Sequence, residues 1–141
     1  MIAATVERLR GNIALMALLT GGVHNGVVVQ EISRQNTPTA FDANRELLPC
    51  TLVQYENTTP FGPLRTSEVR YITIYFYQRF GHETIQAAEL MVRGLLDRQV
   101  VQPVGPGRTF EIRHNNTLLG LTDQALDCAL TLSRYSCYMV R

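Results

Sequence analysis

A chain of 141 residues, 45% apolar and 18% charged, can bury the core of one globular domain without disulfide staples. Its formal net charge of +1 excludes the basic excess that nucleic acid or an anionic membrane surface demands of its main partner. Three cysteines, Cys50, Cys128 and Cys137, cannot all pair within one chain and match neither zinc-ligand nor CxxC spacing, so they read as buried thiols of a protein made in a reducing cytosol.

At the N-terminus Arg8 and Arg10 precede the apolar run Ile13 to Leu19, whose seven residues are far too few for a membrane span and marginal for an export signal. Ile2, Val6, Leu9, Ile13 and Met16 recur at spacings of four and three, which predicts one amphipathic helix running through that stretch to Gly21-Gly22. After the turn-forming His24-Asn25-Gly26, Val27 to Ile32 predicts a short strand. Ser33 to Pro49 then forms a polar stretch of seventeen residues without a strong period, a length that points to a functional or a disordered loop.

Cys50 to Glu56 predicts a second strand, and the turn-rich Asn57 to Ser67 predicts a long hairpin tip. Phe61, Leu64 and Arg65 in that tip are expected to form a contact arm, the alternative being that Phe61 folds back on the sheet. Val69 to Arg79 is a β-reading run with two unlike faces, one carrying Ile72, Ile74 and Phe76, the other Tyr71, Thr73, Tyr75 and Tyr77. A strand with one wet side would carry charge on the second face, so the tyrosines are expected to meet something. The helix that follows, with Glu83 early and Arg93 and Arg98 late, bears the stripe Ile85, Ala88, Val92, Leu95 and Leu96. That stripe can cover the Ile72/Ile74/Phe76 face. Val100 to Arg108 predicts a loop, Phe110 to Arg113 a short strand, Asn115-Asn116 a tight turn, and Asp127 to Met139 the final strand.

The order predicts a single α+β domain over residues 1–141, a mostly antiparallel four- to five-stranded sheet with two helices packed on one face. With only two helices the tyrosine face is expected to lack cover from its own chain.

No catalytic, metal or cofactor-binding set emerges, and the chain reads as a non-enzyme. His82-Glu83 opens like a zincin motif, but Gln86 stands where the second histidine belongs. His24, His82 and His114 fall in separate turn regions, with no nucleophile elbow, P-loop or dinucleotide fingerprint beside them. An aromatic strand can stack single-stranded RNA, yet Arg70 to Tyr77 lacks the glycines and the basic surround of that platform. All thirteen basic residues are arginine; this suits protein interfaces, and equally follows from the codon bias of a GC-rich genome.

The chain resembles the tail terminator, or tail-completion, proteins of long-tailed bacteriophages. The likeness rests on the amphipathic N-terminal helix, the strand entered at Leu48-Pro49, the hairpin into the aromatic strand Val69 to Arg79, the helix GHETIQAAELMVRGLLD and the closing strand Leu126 to Met139. The resemblance implies a structural virion protein, assembled in the host cytoplasm, that forms a homo-oligomeric ring, typically a hexamer, at the head-proximal end of the tail tube. Such a ring ends tube polymerisation and docks the head-tail connector, with DNA only as passing cargo, no membrane and no cofactor. Phe61, Leu64, Arg65, Tyr71, Tyr75, Tyr77, Arg34 and Arg45 are the expected contact residues. Two alternatives stay open: another neck component, such as a head-completion or connector protein, and a small ligand-binding α+β domain.

Overall fold

Helix α1 (Ile2–Arg10) and helix α2 (Ile13–Leu18) open the chain, followed by strands β1 (Val23–Asn25), β2 (Cys50–Phe61) and β3 (Leu64–Gln78), helix α3 (Glu83–Leu96), and strands β4 (Thr109–Asp123) and β5 (Cys128–Val140). This computed structural model describes residues 1–61, 64–102 and 108–140, and of residues 61 and 64–66 only the backbone. The side chains of Phe61, Leu64 and Arg65, expected at the contact arm, and residues 103–107 of the expected loop therefore lie outside the described residues.

The strands form one five-stranded sheet in the order β1-β2-β3-β5-β4. Every pairing is antiparallel except β1 with β2, where Val23 stands beside Thr51 and Asn25 beside Val53. The mostly antiparallel α+β architecture expected from the sequence is present, with three α-helices instead of two.

The extra helix arises from a break in the predicted long one. Asn12 adopts an extended conformation and its side-chain oxygen accepts a hydrogen bond from Leu15 N at 2.9 Å, so it caps a new helix where the apolar period alone reads continuity. The break rotates Ile13 out of the buried stripe and leaves it 88% exposed, while Ile2, Val6, Leu9, Leu15 and Leu19 remain in the core. Together with Ile85, Ala88, Val92 and Leu96 of α3 they cover Val53, Ile72, Ile74 and Phe76 on one sheet face, as the α3 stripe predicts. The start of α3 is held by Gln78, whose Oε1 accepts from Ile85 N at 3.1 Å while its Nε2 donates to Phe80 O at 2.7 Å.

Other boundaries move. The first strand is Val23–Asn25, upstream of the predicted Val27 to Ile32, and Val27 and Val28 stand 64% and 77% exposed in the turn beyond it. The strands of the hairpin extend through most of the predicted tip, with Thr58 opposite Arg70 and Pro60 opposite Glu68. Asn115-Asn116 is no turn: β4 runs on to Asp123, with a register shift between His114 and Asn116 that marks a bulge. The turn back to β5 comes after Asp123, whose Oδ1 accepts from Leu126 N at 2.9 Å.

Candidate assembly surface

Side chains opposite the helical layer define a second face of the sheet, and one end of it is filled from within the chain. Residues 33–49 contain no strand, but a short 3-10 turn at Pro38–Ala40 and a bridge between Phe41 and Leu47 fold them into a compact flap. The flap and the residue preceding it supply Ile32, Ala40 and Leu47, which pack with Cys50, Leu52, Tyr77 and Cys128 as a second apolar cluster. Thr37 secures the turn, donating from Oγ1 to Ser33 O at 3.0 Å and accepting from Ser33 N at 3.1 Å. The expectation of a tyrosine face without intrachain cover is therefore corrected at this end: Tyr77 is 7% exposed beneath the flap. Periodicity could not reveal this, because buried Ile32, Ala40 and Leu47 are too widely spaced to form a stripe. The only local signal was the Leu47-Leu48 pair.

Arg34 and Arg45 stay exposed, but Arg34 already works inside the flap. Its Nε donates to Arg45 O at 2.9 Å and its guanidinium lies 5.0 Å from the Phe41 ring centroid. Arg45 holds the positive φ of 62° that the tight return to Leu47 requires. Between flap and sheet lies a cavity of about 290 Å³ lined by Glu31, Ile32, Ser33, Arg34, Tyr77, Asp123, Ala125 and Leu126.

Farther along, the face opens. Tyr75 and Tyr71 are half-buried, and cross-strand pairing places Val69 beside Tyr138, Tyr71 beside Ser136 and Thr73 beside Arg134. Tyr138 is 44% exposed. Glu56 binds this surface together, accepting from Thr73 Oγ1 at 3.0 Å and lying 3.7 Å from Arg134 Nε. The outer half of β2 has even less cover: six consecutive residues, Tyr55 to Pro60, are all exposed. Tyr71 thus lies half-buried on the open face. Tyr75 stacks on Tyr77 with ring centroids 6.3 Å apart and packs half-buried against the flap cluster, Tyr77 lies beneath the flap, and Arg34 and Arg45 are exposed on the flap.

On the helical side sits a buried polar cluster that pattern reading passes over. Glu89, 2% exposed, receives hydrogen bonds from Arg93 Nη2 at 2.8 Å, Thr117 Oγ1 at 2.9 Å and Ser133 Oγ at 2.8 Å. His114 Nε2 is 2.7 Å from Thr117 Oγ1, and Asp97 Oδ1 accepts from His114 N at 2.9 Å. Burial, with Arg93 acting in the same sense, holds the His114 imidazole below its ordinary pKa. An acid, a base and two hydroxyls can resemble catalytic equipment. Here the carboxylate is saturated by its partners and lies within the helix-sheet interface, so the arrangement clamps α3 to β4 and β5. Among the described residues no cluster of histidine, cysteine and carboxylate side chains is arranged to hold a metal, and no helix is long and apolar enough to cross a membrane.

No described protein family and no curated protein sequence matches the chain. Solved structures do. A chain in the virion of the native gene transfer agent (GTA) particle superposes with a TM-score of 0.77 at 15% identity, over 100% of this chain and 95% of that one. The chain shares its fold with that virion chain. A second likeness, to the bacteriophage SPP1 gp17 protein, has a TM-score of 0.50 at 12% identity over 99% of this chain and 86% of the other. At these identities the shared property is the fold across nearly the whole chain, sheet and helices included.

Proposed function

We propose that this chain is a structural subunit of a phage-type particle that closes into a ring, typically a hexamer, at the head-proximal end of the tail tube. There it ends tube polymerisation and presents the docking surface for the head connector. One observation carries the reading: a fold shared end to end with a chain of the GTA virion is combined with an exposed strand, Tyr55 to Pro60, and a half-open sheet face that the described residues leave uncovered. A monomer gains little from exposing Tyr55 to Pro60 as an uncovered strand, whereas a subunit that must touch neighbours on two sides needs such surfaces. The role is geometric and needs no catalytic group. DNA passing through such a ring should not be held, which agrees with a net charge of only +1.

Contacts are assigned to the hairpin end at Phe61, Leu64 and Arg65, to Tyr71 on the open face, to the half-buried Tyr75 against the flap cluster, and to Arg34 and Arg45 on the flap. Tyr77 contributes by supporting the flap from below. Mixing purified protein with tail tubes and imaging them by electron microscopy tests the proposal. Rings capping one tube end are expected; bare tube ends together with a strictly monomeric chain at high concentration in light scattering would refute it. A connector or head-completion protein of the same neck predicts instead rings that bind the head portal and leave tube ends unoccupied.

A further inference from the structure

We infer that the subunits join by continuing the sheet from one copy to the next, with the outer edge of β4 around Asn116 to Thr122 pairing with the outer edge of β2 around Tyr55 to Thr59 of the neighbour. This rests on the ring reading and deepens it by naming the joint.

The two edges are the parts of the sheet boundary that the described chain leaves open. Strand β1 pairs only with Thr51 to Val53, and Gly26 N donates to Val53 O at 2.8 Å before the chain turns away. Gln54 is still held, donating from Nε2 to Gln30 O at 2.6 Å, and beyond it β2 has no outer partner strand among the described residues. On the opposite boundary the first half of β4 is covered by its own chain. Thr109 N donates to Gln102 O at 2.9 Å, Ile112 N to Gln99 O at 2.9 Å, Arg98 N to Ile112 O at 2.7 Å, and His114 N to Asp97 Oδ1 at 2.9 Å. That cover ends at His114. The continuation Asn115 to Thr122 contains no charged residue and no proline, and it exposes Leu118 at 38% and Leu119 at 57%. Exposed sheet edges are usually guarded by charge or proline, so an uncharged edge bearing leucines is a pairing site. The bulges between His114 and Asn116 and between Leu118 and Leu121 bend β4 and divide its ladder into short runs, so side-chain burial must supply much of the joint.

Direction and position select a second copy of this chain as the occupant. Successive antiparallel pairings make β4 run opposite to β2. A copy rotated about an axis roughly along the strands therefore presents its β2 antiparallel to β4, as sheet continuation requires. The free segments lie at different heights, since Leu118 is level with Tyr75 through Leu132, whereas Asn57 is level with Tyr71. That offset is about 14 Å along the strands, against a width of about 19 Å for the four strands each subunit would contribute, which tilts the strands by about 36°, within the range of closed barrels.

Paired cysteines on the two edges test the joint, because the native thiols of Cys50, Cys128 and Cys137 are buried. Asn57→Cys combined with Leu119→Cys, treated with a short bismaleimide in tube-capping rings, is expected to give a ladder of covalent oligomers. Each single variant alone should give none, and a mixture of the two should stop at dimers. Independently, amides of residues 116–122 should exchange at least about tenfold more slowly in rings than in monomers. Leu119→Arg should leave the melting temperature of the monomer unchanged and abolish rings. Rings that form without this cross-link and without protection of β4 overturn the joint and leave the ring reading intact; a double variant and parent that never form rings overturn both.

Discussion

The carboxylate of Glu89 on α3 accepts a 2.8 Å hydrogen bond from Ser133 on β5, tying the centre of the last helix to the sheet beneath it. Thr117 and Arg93 complete its shell, so truncating Glu89 leaves two hydroxyls and a guanidinium without their acceptor. Glu89→Ala should destabilise the fold by about 3 kcal/mol in urea denaturation. Glu89→Gln should cost less, because the amide oxygen still accepts from Ser133.

The tyrosines separate into support and surface. Tyr77→Ala opens a cavity beneath the flap and should lower stability by about 3 kcal/mol, read from the denaturation midpoint. Tyr71→Ala, at a half-buried position on the open face, should cost less than about 1 kcal/mol while reducing ring formation on tube ends.

Gly26 lies so close to β2 that an added Cβ would stand 2.6 Å from Val53 O and collide with the Gln54 side chain. Gly26→Ala should therefore displace the parallel β1-β2 pair and lower stability by about 2 kcal/mol. Gly94, with nothing within 4 Å of its added Cβ, is the control, and Gly94→Ala in mid-α3 should stabilise by about 0.5 kcal/mol. Thermal melts of the two variants should move in opposite directions.

Burial lowers the pKa of both His24 and His114 from the ordinary 6.5, with Arg10 and Arg93 respectively acting in the same sense. At pH values below 6.5 the unfolded chain thus binds more protons at these sites than the folded one. Their contribution is fully present above that pH and is lost as pH falls through the depressed folded values. Urea midpoints should decline from about pH 7 toward about pH 5, and His114→Gln should flatten part of that slope.

All three thiols resist ionisation. Burial pushes Cys128 up to about 12 and Cys137 up to about 11, and raises Cys50 further. Since the thiolate is the reactive species, the folded protein should react with a thiol reagent at least about tenfold more slowly than the urea-unfolded chain. Titration of the time course at neutral pH measures this directly.

Patterns that repeat over short distances were legible along the chain. Alternation in β3 identified Ile72, Ile74 and Phe76 as the inner face, and the period of α3 named the stripe that covers them, because one buried surface selects every second or every third and fourth residue. Single capping or bulge events override such averages, which is why Asn12 ended the first helix early and Asn115-Asn116 remained inside β4. Of the expected contact residues, Tyr71 was legible as a surface residue because a strand alternates regardless of its surroundings, whereas Tyr75 packs half-buried against the flap cluster. The fate of Tyr77 depended on a flap that buries isolated apolar residues by closing on itself. Glu89 was invisible for the same reason: a charged residue announces burial only when partners distant in sequence, Thr117 and Ser133, supply its hydrogen bonds. Local chemistry determined the elements and the side each one buries. Which faces and edges remained open was decided by contacts between distant segments, since covering a surface depends on what folds over it.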